Sequence, residues 1–163
     1  MSSWTVESRL GVANLRFVRP PDNYLDFGSL IELGDLLEHL GGEPATSRVV
    51  LLSSGVNDIF INHAELSDLT RAGSGQATSA ETGSWGRVLN LLEHIPQPTI
   101  AAIDGLASGG GHEIALACTL RLASDRARLQ QPEVLIGIVP GGGGSVRSWS
   151  WRGGFRRARR RCG

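Results

Sequence analysis

Three consecutive glycines, Gly109–Gly111, constrain this chain more than any other feature. They separate TIAAI (99–103) from HEIALACTL (112–120). The first segment is short, apolar and partly β-branched, which suits a strand buried on both faces. The second suits a helix. The glycine run therefore predicts a tight connection from strand to helix, with backbone free to lie close to a neighbour or a ligand.

The same alternation runs through the rest of the chain. Residues 4–8 and 12–18 predict two short strands joined at Gly11 as a hairpin. RPPDNY (19–24) reads as a turn. Apolar positions from Leu25 to Leu40 recur at helical spacing and end at Gly41-Gly42. RVVLL (48–52) predicts a buried strand, SSGVND (53–58) a loop and Ile59–Ile61 a short strand. Residues 65–72 suit a helical turn. The small, polar stretch 73–84 is expected to form a surface loop. Trp85 to Ile95 has helical spacing, stopped by Pro96 and Pro98. Further strands are expected at 120–123 and 127–130. With strands and helices alternating, the fold class is α/β with parallel pairing.

Hydrophobic residues make up 40 % of the 163, enough for one domain with a core and too many for overall disorder. No apolar stretch has the length of a signal peptide or a membrane span, so the expected setting is cytoplasmic, with no membrane and no nucleic acid as partner. Cys118 and Cys162 form neither a disulfide framework nor a metal-ligand spacing. Cys118 sits in an apolar run and reads as a buried small hydrophobe. His63 has no second His or Cys at ligand spacing, so no metal is expected. The formal net charge of zero conceals an asymmetry. All 16 basic residues are Arg, and six of them follow residue 147 in a stretch without acids, which leaves residues 1–147 at −6.

Two acids stand where chemistry could sit. Glu113 falls in the first turn of the helix after the glycines. Unpaired N–H groups there can stabilise a developing oxyanion. On spacing alone, a surface acid that compensates the helix dipole is the favoured reading. Glu133 follows Pro132 and precedes the apolar run Val134–Ile138. A carboxylate in that setting suits a general acid or base, but on the local sequence alone a surface loop acid is again the favoured reading. No G-K-[ST] follows either glycine run, so a phosphate-binding P-loop has no support.

Taken together and in this order, these segments resemble the enoyl-CoA hydratase/isomerase (crotonase) family. IPQPTIAAIDGLASGGGHEIALACTLRLASDRARLQQPEVLIGIVPGGGGSVR (95–147) is similar to the family's central signature. FINHAEL (60–66) resembles its Phe-Cys-Ala-Gly-Ala-Asp-Leu motif, VVLLSSG (49–55) the strand before it, and RPPDNYLDF (19–27) its early Pro-Pro-x-Asn-x-Leu turn. The resemblance implies a crotonase-like spiral of repeated β-β-α units. It implies oxyanion-hole amides at Ala64 and Gly110 and catalytic carboxylates at Glu113 and Glu133. Substrate contacts are implied at Ala64, Glu65, Leu66, Ser67, Gly109, Gly110, Pro132 and Gly141. His63 and Glu65 replace the family's usual Gly and Asp, a change that leaves the backbone amide in place. The implied substrate is an acyl-CoA, with coenzyme A as part of the substrate and no separate cofactor. The implied assembly is a homotrimer or hexamer. Retaining both acids favours a hydratase, since a family isomerase commonly needs one acid at the second position. The alternatives are another acyl-CoA reaction on this fold (isomerase, hydrolase or decarboxylase) and an inactive truncated fragment.

The resemblance covers residues 5–147 and then stops. The family continues with a Leu-rich helix and a C-terminal helical region. Here SWSWRGGFRRARRRCG (148–163) follows, without helical or strand periodicity. Out-of-frame reading of GC-rich coding sequence accounts for such a composition, and a basic nucleic-acid- or membrane-binding tail is the other reading. The expectation is a crotonase-like core at 1–147 whose C-terminal helical region is missing, leaving a chain that is poorly soluble or inactive.

Overall fold

In a computed structural model, residues 2–42, 47–150 and 156–157 are described. Strands β1 (Trp4–Arg9) and β2 (Val12–Phe17) form the expected antiparallel hairpin. Leu10 and Gly11 make its two-residue turn, with φ of 52° and 80°. Two positive φ values match the right-handed twist of the flanking strands.

Helix α1 (Phe27–Gly41) starts at a capping box: Asp26 accepts from the Ser29 N–H at 2.7 Å, and the Ser29 hydroxyl accepts from the Asp26 N–H at 3.0 Å. Then comes β3 (Val49–Ser54), followed by β4 (Ile59–Ile61), α2 (Leu66–Gly73) and α3 (Ser79–His94). Next are β5 (Thr99–Ile103), β6 (Leu106–Ser108) and α4 (Gly110–Ala117). The last set is β7 (Leu120–Ala123), β8 (Arg128–Gln130), a 3-10 turn (Pro132–Ile136), α5 (Gly144–Ser150) and β9 (Arg156–Arg157).

The strands sort by turns into two sheets. One sheet has the order β1-β2-β3-β5-β7-β9, and the other has the order β4-β6-β8. Among the described residues, all pairings apart from the β1–β2 hairpin are parallel. Each unit thus sends its first strand to the large sheet and its second to the small one before a helix returns. This is the β-β-α spiral that the resemblance implies. Between the layers lie Phe17, Leu33, Leu52, Leu92 and Ile114, all fully buried. At the hairpin, Trp4 packs its ring on Phe17 and donates its indole N–H to the Ser29 carbonyl at 2.9 Å.

Four expectations need correction. The polar stretch 73–84 is not all loop: α3 begins at Ser79, six residues before Trp85, because Thr78 and Glu81 form a second capping box. The glycine-rich segment 105–111 holds the short strand β6. Helix α4 spans Gly110–Ala117 instead of 112–120. Of the tail at 148–163, expected to lack periodicity, residues 148–150 end α5 and 156–157 pair with β7. The remainder lies outside the described residues.

Candidate active site

The site begins with a buried asparagine. Asn23 has φ 54° and no solvent exposure. Its side-chain oxygen accepts from the Arg19 N–H at 2.8 Å, and its amide donates to the Phe60 carbonyl at 2.8 Å. The RPPDNY turn is thereby fastened to β4. One turn further, Leu25 bridges Ala64 in parallel: the Leu25 N–H donates to the His63 carbonyl at 3.1 Å, and the Glu65 N–H donates to the Leu25 carbonyl at 2.8 Å. A parallel bridge of this kind uses the groups on either side of Ala64 and leaves the Ala64 N–H outside the ladder.

The second amide comes from the glycine run. Gly109 adopts φ 48°, a region that favours glycine. Gly111 must also be glycine, since a Cβ there would overlap the Ile61 carbonyl. This close approach seats α4 against β4. The first hydrogen bond of α4 runs from the Glu113 N–H to the Gly109 carbonyl at 2.9 Å. The Gly110 N–H precedes it and is one of the helix's unpaired donors.

Glu113 is 2 % exposed, and its Oε1 accepts from the Gly144 N–H at 2.8 Å. Burial pushes its carboxyl above the usual carboxylate range, against the opposing pull of the Gly144 amide; the charge of Glu133 adds to the upward push. A carboxyl raised in this way suits a group that exchanges protons with a substrate. The loop that supplies Gly144 is fastened by Arg147, which pairs with Glu93 of α3 at 2.7 Å and also donates to the Gly142 carbonyl. Gly142 lies against both Glu113 and Trp85, leaving no room for a side chain.

Glu133 sits in the first turn of the 3-10 segment, half-buried beside Gly109. Gln131 reaches it. With its nitrogen toward the carboxylate, the Gln131 amide donates to both Glu133 oxygens at 2.9 Å. The apolar run after Glu133 does not enter the core: Val134 and Leu135 are 78 % and 82 % exposed.

Both carboxylates open on one cavity of about 410 Å³. Ala64, Leu66, Gly110, Pro132 and Gly141 line the same cavity, which is mostly apolar. Gly109 stands just behind it, against His63 and Glu133. Glu65 and Ser67 line a neighbouring polar depression with Arg19 and Arg71. The fold therefore brings the two acids and both amide-bearing residues to one chamber, although Ala64 and Glu133 are far apart in sequence. Three residues that the sequence reading missed belong here: Trp85, which walls the cavity beside Gly110; Gly144, which holds Glu113; and Gln131. Only Trp85 carried a sequence signal, through the Thr78–Glu81 capping pattern that starts its helix. Cys118 is buried as expected, and burial pushes its thiol up to about 12.

Comparison with known proteins gives a consistent result. A family model described as enoyl-CoA hydratase/isomerase matches residues 7–162. Over 126 residues the chain is 35 % identical to a crotonyl-CoA hydratase of Syntrophomonas wolfei, covering 77 % of this chain and 47 % of that protein. It is 40 % identical over 104 residues to the human mitochondrial methylglutaconyl-CoA hydratase, covering 61 % of this chain and 29 % of the relative. The crystal structure of an enoyl-CoA hydratase from Bacillus anthracis superposes with a TM-score of 0.77 at 31 % identity, covering 90 % of this chain and 57 % of that one. The chain spans about half the length of such relatives or less.

Proposed function

The chain belongs to the enoyl-CoA hydratase/isomerase family, and we propose that its site adds water across the α,β double bond of an acyl-CoA thioester. One observation carries this reading: Glu113, Glu133, Ala64 and Gly110 line a single cavity.

The chemistry follows from that grouping. Attack of water on Cβ moves the π electrons toward the thioester, and negative charge builds on its oxygen. The N–H groups of Ala64 and Gly110 are the donors for that oxygen. Losing one donor of this type costs about 2.7–4 kcal/mol of transition-state stabilisation. Glu113 takes the proton from water as the new C–O bond forms. Glu133 delivers a proton to Cα, and the enolate collapses to the 3-hydroxyacyl thioester. The proton left on Glu113 returns to Glu133 through solvent before the next turnover. The reading takes the stereochemistry that the resemblance implies, syn addition, with both acids acting from one face of the double bond. Coenzyme A enters as part of the substrate, and the scheme calls for no other cofactor. The reading includes a covering partner, in the homotrimer or hexamer that the resemblance implies, because Leu135 and Val139 stand about four-fifths exposed beside the site.

The test is hydration of crotonyl-CoA, followed by loss of the enoyl thioester absorbance, in the parent chain and in Glu113→Gln. The expected loss on substitution is about 10²-fold or more. An isomerase or hydrolase that uses Glu133 alone would lose little.

A further inference from the structure

Gln131 stands between a carboxylate and an imidazole, and it can face them in only one satisfactory way. With its oxygen toward Glu133 it would meet, once Glu133 has given its proton to Cα, a carboxylate that has no hydrogen to offer. With its nitrogen there, it donates to both Glu133 oxygens at 2.9 Å, and its own oxygen lies 3.2 Å from Nδ1 of His112. An amide oxygen only accepts, so Nδ1 of His112 has to carry a hydrogen.

We propose that His112 is a positioning residue for Glu133, acting through Gln131. Its Nδ1–H fixes which way the Gln131 amide points, and so keeps the amide nitrogen on the Glu133 carboxylate. The catalytic meaning rests on the hydratase reading above; the hydrogen-bond chain does not. On balance the surroundings favour a single proton on the ring: burial first, and then the charge of Arg121, disfavour the imidazolium, against the Gln130 carbonyl, which favours it. A neutral imidazole has one N–H to place, and its hydrogen-bond partners decide which nitrogen holds it. His112 is adjacent to Glu113, so the start of α4 serves both acids: it carries Glu113 directly and reaches Glu133 through Gln131.

The test is side-chain ¹⁵N NMR of the full labelled chain at neutral to mildly alkaline pH. His112 is assigned by the signal lost in His112→Asn. The expected result is a protonated Nδ1 in the parent chain and a shift toward the Nε2–H tautomer in Gln131→Leu. A parent chain with bare Nδ1 overturns the proposal, even if Gln131→Leu fails to fold. A protonated Nδ1 that persists in a folded Gln131→Leu overturns it too. Hydration assays on His112→Phe supply the kinetic arm: kcat falls and its pH profile moves, with KM nearly unchanged. A His112→Phe variant with the parent's kcat and pH profile also contradicts the proposal. If crotonyl-CoA is not hydrated at all, the hydratase reading fails while the tautomer measurement still decides the role of His112. If hydration proceeds and Nδ1 is bare, the hydratase reading stands and this inference falls.

Discussion

The Gly144 amide donates to Glu113 Oε1 at 2.8 Å, across 31 positions of sequence. A backbone donor from a separate loop thus sets the carboxylate of a residue that α4 buries. The pair links stability to chemistry, because the same burial that raises the Glu113 pKa makes its charge costly.

That cost has a definite sign. The folded-state pKa of Glu113 is raised from the ordinary 4.5, with burial as the main cause. The protonated form is therefore favoured on folding. Its stabilising contribution is complete below the unfolded value and is lost as pH rises through the folded one. Glu113→Gln cannot ionise, so its stability relative to the parent should grow from about the ordinary 4.5 upward, across the range from acid to alkaline pH. Urea unfolding at both ends of that range measures it. A difference that stays constant with pH contradicts the account.

Gly142→Ala tests the loop against the carboxylate. The new methyl would meet the Trp85 indole and lie 2.5 Å from Glu113 Oε2. Overpacking of this kind costs about 1–3 kcal/mol. Hydration should fall by about tenfold or more, the equivalent of about 1.4 kcal/mol, as Glu113 is displaced. Activity equal to the parent's would show that this contact does not hold the acid in place.

Asn23→Ala removes the clamp between the RPPDNY turn and β4. It strands the Arg19 N–H and the Phe60 carbonyl, and it places alanine at φ 54°. The expected loss is about 1–3 kcal/mol. The unfolding midpoint in urea should drop with its slope unchanged. A loss below about 0.5 kcal/mol, the scale of an ordinary surface substitution, contradicts this role.

Thr78→Ala opens the cap of α3. Thr78 accepts from the Glu81 N–H at 3.2 Å, and Glu81 accepts from the Thr78 N–H at 2.7 Å. That backbone bond, with the Arg71 guanidinium, pulls the Glu81 carboxyl down to about 2. The substitution should cost about 0.5–2 kcal/mol. Amide exchange should quicken over residues 79–84 and stay unchanged in β5. Uniform exchange across α3 would place the stability of this helix elsewhere.

Local sequence revealed what local forces decide. The hairpin at Leu10-Gly11, the ends of β4 and the proline stop after α3 follow from turn chemistry and side-chain period, and the structure agrees at each. The start of α3 was obscured because residues 73–84 carry few apolar side chains; its signal was the Thr78–Glu81 cap and not periodicity. Strand β6 was hidden inside a glycine-rich segment, since only three residues pair and their partners, β4 and β8, are distant in sequence. Glu113 and Glu133 each read locally as possible surface acids. Their common cavity came from the family resemblance and then from the fold. The Gly144 donor and the Gln131 amide had no local signature, because backbone amides and unpaired glutamines look alike everywhere in a sequence.

The most direct test of the central claim is the rate of crotonyl-CoA hydration by the chain, by Glu113→Gln and by Glu133→Gln, measured side by side. The account predicts hydration by the parent chain and a loss of about 10²-fold or more in each variant. A parent chain no faster than buffer, or a Glu113→Gln variant that keeps the parental rate, would contradict it.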